Sequence, residues 1–181
     1  MYQVRTDLAL EAREKFEDDH VEVKGVIVKQ EHVKGNMTVT KVVIETENGA
    51  KAMGKPKGNY VTLEAPDMAD SDEDYHREIS MQLAKILKEL IPIEKKELSV
   101  LVVGLGNREV TPDALGPRVV DNMMITRHII RQFGKYAFGL KNNHQISSIV
   151  PGVMAQTGME TLEIIKGVLE ETTPDYIIAV D

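Results

Sequence analysis

The stretch GLGNREVTPDALGP, residues 104–117, is here called the site loop. It combines glycines with a carboxylate in a pattern that could bind a ligand or catalyse a reaction. Gly104 and Gly106 flank a leucine, and Asp113 stands between two prolines. A dinucleotide-binding loop would place its third glycine at Glu109, whose charge opposes a pyrophosphate. A P-loop needs a lysine directly after its last glycine, and none follows here. The pattern therefore indicates that the loop presents a carboxylate.

A second carboxylate, Asp181, follows the apolar run YIIAV, as Asp113 follows the run LSVLVVGLG. Catalytic groups of open α/β sheets gather at the carboxyl ends of strands, and strands joined by short crossovers usually lie close together. The two aspartates are therefore expected to face one cleft. Thr111 as N-cap and Pro112 as first helical residue would place Asp113 in a first turn, where helices without any catalytic role also favour a negative charge. The glycines could serve a tight turn alone, and Asn107 could simply bond within the loop.

Three continuous apolar runs position these residues: one from Leu98, one near Ser147 and one from Tyr176. Such runs are typical of strands buried on both faces. Helical segments are predicted between them at about 112–133 and 157–170. The order strand, helix, strand, helix, strand predicts an α/β fold, a three-layer core with a mostly parallel sheet of the phosphorylase/hydrolase-like kind.

The preceding part of the chain alternates between apolar and polar residues over about 21–66. The pairs Gly35-Asn36 and Asn48-Gly49 are typical hairpin turns. The pattern predicts an antiparallel meander of about three strands.

A helix is predicted from Asp72 to Leu90, begun by a capping box of Ser71 and Asp74. The acidic residues before it lack the spacing of a calcium loop and are interpreted as a solvated linker. The apolar stripe of this helix comprises Ile79, Leu83, Ile86, Leu87 and Leu90.

Three segments are predicted: residues 1–20 as a propeptide-like N-terminal segment, 21–66 as the β-rich meander and 67–181 as the α/β core. The first contains an amphipathic stretch, 7–18, whose simplest interpretation is a solvated helix or arm. Because Asp181 directly follows an apolar strand, the core is expected to be cut short at its C-terminus.

Composition narrows the class of function. The 181 residues carry a net charge of −7 and no cysteine, which excludes disulfides, cysteine nucleophiles and thiolate metal sites. No basic cluster or long apolar run stands out, so no direct nucleic-acid or membrane contact is expected. The chain is predicted to be cytoplasmic and to need no cofactor or metal.

The motifs GLGNREVTPDALGPRVV, SSIVPGVMAQTGMET and DYIIAVD resemble the spore germination protease family of spore-forming Firmicutes, over nearly the whole chain. The core also resembles hydrogenase-maturation endopeptidases, whose G-x-G-N loop and following acidic residue are matched by Gly104, Gly106, Asn107 and Asp113. The first resemblance implies an aspartic-type endopeptidase that starts the degradation of small acid-soluble spore proteins in the spore core. It places the catalytic pair at Asp113 and Asp181.

The same resemblance implies a longer chain, a homotetramer and a zymogen. Family substrates are cut after Glu in segments like Thr-Glu-(Phe or Ile)-Ala-Ser-Glu, and TDLALE here runs from Thr6 to Glu11. The similarity implies autocatalytic cleavage between Asp7 and Leu8. An ordinary helix start with Thr6 as N-cap fits the same residues.

Two close carboxylates can hydrolyse a peptide bond because one holds a proton while the other takes one from water. Two alternatives stay open. One is a metal-dependent endopeptidase of the maturation type, with His144 as third ligand beside the acidic residues. The other is a noncatalytic module, in which the loop and the acidic strand end only bind a peptide.

Overall fold

A computed structural model describes residues 24–69, 72–91, 97–134, 136, 139 and 144–181. The predicted N-terminal segment, its amphipathic stretch and the cleavage site Asp7-Leu8 lie outside these residues, as does the proposed cap Ser71. Backbone contacts divide the chain into two compact units, and the division falls between Leu90 and Ile91. The predicted division between the meander and the core, after residue 66, falls inside the first of these units.

The first unit is built on an antiparallel sheet in the order β1 (Val26–Val33), β2 (Met37–Ile44) and β3 (Gly58–Glu64). The predicted meander is therefore confirmed. The β1–β2 turn uses Gly35 at φ +81° and Asn36 at φ 56°, left-handed values that these two residue types tolerate best.

The pair Asn48-Gly49 forms a helix, α1 (Glu47–Met53), and the hairpin turn predicted there is wrong. The Thr46 hydroxyl accepts a hydrogen bond from the Gly49 N–H at 3.0 Å and caps the helix start. Gly54, at φ 64°, ends the helix. Capping by Thr46 thus outweighs the local turn preference, and Met53 from this helix joins the buried cluster that includes Ile44.

A single turn of 3-10 helix (Pro66–Ala69) leads from β3 to α2 (Glu73–Leu90), so the predicted long helix is confirmed. Its cap is Asp72, whose carboxylate accepts from the Tyr75 N–H at 3.1 Å. Ile86 of the predicted stripe is buried, whereas Leu83, Leu87 and Leu90 are exposed. Ile86 therefore anchors α2.

The second unit is built on a parallel sheet in the order β5 (Gln145–Ile149), β4 (Ser99–Gly104) and β6 (Tyr176–Val180). This confirms the α/β fold. The central strand β4 is almost wholly buried, as its continuous apolar sequence predicts. Its Val100 and Val102 pack against side chains of β5, β6 and the following helix.

The helix predicted over 112–133 is divided into a 3-10 turn (Thr111–Asp113), α3 (Leu115–Asp121) and α4 (Arg127–Phe133). The break lies before Thr126, whose backbone N–H donates to the Ile146 carbonyl at 3.0 Å. The Thr126 hydroxyl also accepts from the Ile146 N–H at 2.9 Å. The bond to β5 thus uses the Thr126 backbone N–H, which in a continuous helix would donate to the carbonyl four residues earlier.

The second predicted helix is confirmed in α6 (Thr161–Thr172), preceded by the short α5 (Met154–Thr157). Gly158, at φ 71°, ends α5, and a capping box of Glu160 and Glu163 begins α6. Among the helices that the structure describes, none combines the length and the apolar character that crossing a membrane requires.

Candidate active site at the carboxyl edge of the parallel sheet

The two predicted aspartates follow neighbouring strands: Asp113 lies in the loop after β4, and Asp181 comes directly after β6. In the parallel pairing of β4 with β6, Gly104 lies opposite Val180. The site loop therefore leaves the sheet beside the residue that precedes Asp181. The Leu105 N–H donates to the Val180 carbonyl at 2.8 Å and extends the pairing one step beyond β4. The sheet order thus brings the loop of Asp113 and the position of Asp181 to one edge.

Asp113 is held by the residue that the G-x-G-N pattern places at its end. The Asn107 backbone N–H donates both to the Asp113 carboxylate, at 2.8 Å to Oδ2, and to the Asp113 backbone carbonyl, at 2.9 Å. The Asn107 side-chain oxygen accepts from the Glu109 N–H at 3.0 Å. The Asp113 side chain remains exposed to solvent. The hydrogen bond therefore orients the carboxylate while the side chain stays accessible to solvent.

The predicted helix start is wrong by one residue, whereas the prediction that Asp113 lies in the first turn is confirmed. The N-cap position is Val110, so Thr111 and Pro112 are the first residues of the 3-10 turn. The Asp113 N–H donates to the Val110 carbonyl at 2.9 Å, and α3 begins two residues after Asp113. The Asp113 backbone carbonyl also accepts from the Asn107 N–H, so the 3-10 turn is bonded to the site loop.

The two glycines of the motif serve different purposes. Gly106 has φ +107°, and an added Cβ would lie 2.1 Å from the Asp113 carbonyl oxygen and 3.0 Å from its Oδ1. Gly104 has no positive φ, but an added Cβ would lie 2.4 Å from the Gly116 carbonyl oxygen. Gly106 makes room for Asp113 in a turn, whereas Gly104 lets α3 approach the strand.

Gly116 is the residue that the sequence reasoning missed. A Cβ there would lie 2.3 Å from the carbonyl oxygens of both Leu105 and Val180. The first turn of α3 therefore presses its backbone against the site loop and the end of β6. Asp113 stands three residues before this contact and Asp181 one residue after Val180. A glycine inside a helix costs about 1 kcal/mol relative to alanine, and that cost is the sequence signal of close backbone packing.

His144, the possible third ligand of the metal-dependent alternative, lies at the opposite edge of the sheet from the two aspartates. Its ring Nδ1 accepts from the Leu98 N–H at 3.2 Å, just before β4 begins. The length of β4, about 16 Å at 3.3 Å per residue, separates this end from Gly104. His144 therefore joins the amino ends of β4 and β5. Within the described ranges, no three acidic or histidine side chains are grouped in a way that could hold a metal ion.

A sequence model of the germination protease family matches residues 4–181. The chain is 47% identical over 178 residues to the germination protease of Caldanaerobacter subterraneus subsp. tengcongensis, which covers 98% of this chain and 53% of that protein.

Two further germination proteases show the same extent of similarity. The protein of Bacillus cytotoxicus is 44% identical over 187 residues, with 99% of this chain and 49% of that protein covered. The protein of Priestia megaterium is 44% identical over 189 residues, with 99% and 50% covered. The chain thus spans about half the length of the curated relatives that it matches.

Proposed function

This chain belongs to the germination protease family, and on that premise we propose that it carries the two catalytic aspartates of an endopeptidase. The endopeptidase would start the degradation of small acid-soluble spore proteins during spore germination. The observation that carries the proposal is the pairing of β4 with β6, extended by the bond from the Leu105 N–H to the Val180 carbonyl. It puts the site loop and Asp181 at one sheet edge.

The proposed chemistry needs only the two carboxyl groups and water. The ionised aspartate takes a proton from water, the oxygen attacks the peptide carbonyl carbon, and the protonated aspartate donates its proton to the carbonyl oxygen. Collapse of the tetrahedral intermediate breaks the carbon–nitrogen bond, and a proton passes to the leaving amine. Either Asp113 or Asp181 can begin as the base, because both are carboxyl groups and each can take up or donate a proton.

The exposure of both aspartates suits a protein substrate. A peptide segment must reach the site in extended form, and a carboxylate sealed in the core could not meet it. The Asp113 carboxylate accepts a hydrogen bond from the Asn107 backbone N–H. Among the described residues, no charged side chain forms an ion pair with it. Because a neutral backbone group orients the carboxylate, Asp113 remains available for the proton transfers of hydrolysis.

The resemblance to the family extends the proposal to regulation and assembly. We include in it synthesis as a zymogen, self-cleavage between Asp7 and Leu8, a homotetramer and action in the cytoplasm of the forespore and spore. These parts of the proposal rest on the family motifs, since the cleavage site lies outside the described residues.

The experiment replaces Asp113 or Asp181 by Asn in the full-length protein and measures cleavage of a peptide containing Thr-Glu-Phe-Ala-Ser-Glu by mass spectrometry. Each variant should lose about 100-fold or more of the cleavage rate, the usual contribution of a general acid or base. Asp175→Asn is the matched control, since Asp175 bonds to Ser99 at the opposite edge of the same sheet. Retained turnover in either active-site variant would remove that aspartate from the mechanism.

Two further outcomes separate the alternatives. Activity that a chelator abolishes and added divalent metal restores would assign the reaction to a metal-dependent endopeptidase. A peptide that binds the wild-type protein and is recovered uncut would assign the site to a noncatalytic binding module.

A further inference from the structure

The site loop is tied to the far end of α3 by an ion pair. The guanidinium of Arg108 bonds to the carboxylate of Asp121 through two atoms, Nε to Oδ2 at 3.1 Å and Nη2 to Oδ1 at 2.6 Å. This two-point geometry fixes the plane of both groups, unlike a single contact between flexible charged side chains. Arg108 is the residue directly after Asn107, whose N–H holds Asp113.

Asp121 stands where a helix disfavours a negative charge. It is the last residue of α3, and the carbonyl end of a helix carries partial negative charge. The neighbouring charged residue on the helix, Arg118, forms no ion pair in the part of the chain that the structure describes. The charge of Asp121 is therefore compensated from the site loop by Arg108.

The ion pair completes a second attachment of α3. At its beginning, Gly116 packs against the carbonyls of Leu105 and Val180. At its end, five residues and about 7.5 Å further along the axis, Asp121 binds Arg108. Two separated attachments prevent the helix from pivoting about its first turn. The loop between them, which contains Asp113, is held at both sides.

We propose that Arg108 and Asp121 are positioning residues, which hold the Asn107 N–H against the Asp113 carboxylate. The inference deepens the proposed function and rests on it for its catalytic consequence. Arg108 does not act on the substrate in this scheme. Its effect passes through the loop backbone, from the Arg108–Asp121 pair to Asn107 and from Asn107 to Asp113.

The test is a charge exchange in the full-length protein: Arg108→Glu alone, Asp121→Arg alone, and both together. Each single change places like charges opposite each other and should free the loop. We expect kcat to fall roughly tenfold in each, because a small misplacement of a reacting group has large effects on the rate, while KM changes less than about twofold. The double variant restores opposite charges and should recover kcat to within about threefold of wild type.

A second readout does not depend on activity. Amide hydrogen exchange of Asn107 should accelerate about tenfold in each single variant and return towards the wild-type rate in the double variant, since exchange reports local opening. Lys57→Glu is the matched control: it makes the same charge change in another exposed ion pair, with Glu47, in the first unit of the chain. It should alter neither kcat nor the exchange of Asn107.

Each outcome decides something. Unchanged Asn107 exchange in Arg108→Glu overturns the positioning role, whatever happens to activity. A double variant that stays as slow as Arg108→Glu, with a raised KM, would show that Arg108 contacts the substrate directly. If Asp113→Asn remains active, the proposed function fails, yet the exchange measurement still tests whether the ion pair holds the loop.

Discussion

Replacing Gly116 by alanine tests the close backbone packing that joins the two halves of the candidate site. The added Cβ would lie 2.3 Å from the carbonyl oxygens of Leu105 and Val180, and 2.6 Å from the Leu105 nitrogen. Ordinary contact begins at 3.4 Å, so the clash is about 1.1 Å deep. The atoms on the other side belong to the backbone, and no side-chain rotation can relieve it. Either α3 or the ends of β4 and β6 must move.

The magnitude follows from two opposing effects. Forcing an extra methyl group into a close-packed site costs about 1–3 kcal/mol, and the rigid surroundings place Gly116→Ala at the upper end. The change also removes a glycine from a helix, which favours folding by about 0.5–1 kcal/mol. The clash is larger, so we expect a net loss of about 2 kcal/mol in the free energy of unfolding. A displacement of about 1 Å at Asp113 should also lower the cleavage rate about 100-fold.

Gly167→Ala supplies the control. Gly167 lies in α6, where an added Cβ meets nothing within 4 Å, so only the helix-forming effect remains. This variant should be more stable than wild type by about 0.5–1 kcal/mol. Urea-induced unfolding followed by circular dichroism measures both, and amide exchange of Leu105 reports the local opening at the site. If Gly116→Ala were as stable as Gly167→Ala, the packing of α3 against the ends of β4 and β6 would be wrong.

The remaining predictions concern the other end of the sheet and the first unit. Asp175→Ala removes the acceptor of the 2.8 Å bond from the Ser99 N–H and should cost about 1 kcal/mol, whereas Asp175→Asn, which keeps an acceptor, should cost less; urea unfolding separates the two. The hydrogen bond from Lys41 holds the pKa of Glu89 below its ordinary value of 4.5. Its stabilising effect is therefore full above the unfolded-state pKa and is lost as pH falls through the lower folded-state pKa. Glu89→Gln should abolish this fall in the free energy of unfolding at acid pH. If the free energy of unfolding depended on pH equally in wild type and variant, the ion pair of Lys41 with Glu89 would be contradicted.

The sequence was sufficient to predict which region forms the antiparallel sheet and which the parallel sheet. Strands buried on one face alternate between apolar and polar residues, whereas strands buried on both faces are continuously apolar. The continuous run from Ser99 to Gly104 is buried as a central strand must be, and the alternating residues from Met37 to Ile44 form half-buried sheet. Around Asn48 and Thr126, local patterns of the same kind predict the wrong structure. Their local preferences are outweighed by a cap from Thr46 in the first case and by bonds to Ile146 in the second.

The candidate site divides in the same way. The types and spacing of Asp113 and Asp181 singled out both aspartates, since a carboxylate after a buried strand is visible in the sequence. The neighbourhood of β4 and β6, the contact of Gly116 and the pair of Arg108 with Asp121 were decided by tertiary structure. Which strands pair and which backbones touch depends on groups that every residue carries, the N–H and the C=O, and these leave little trace in the order of side chains.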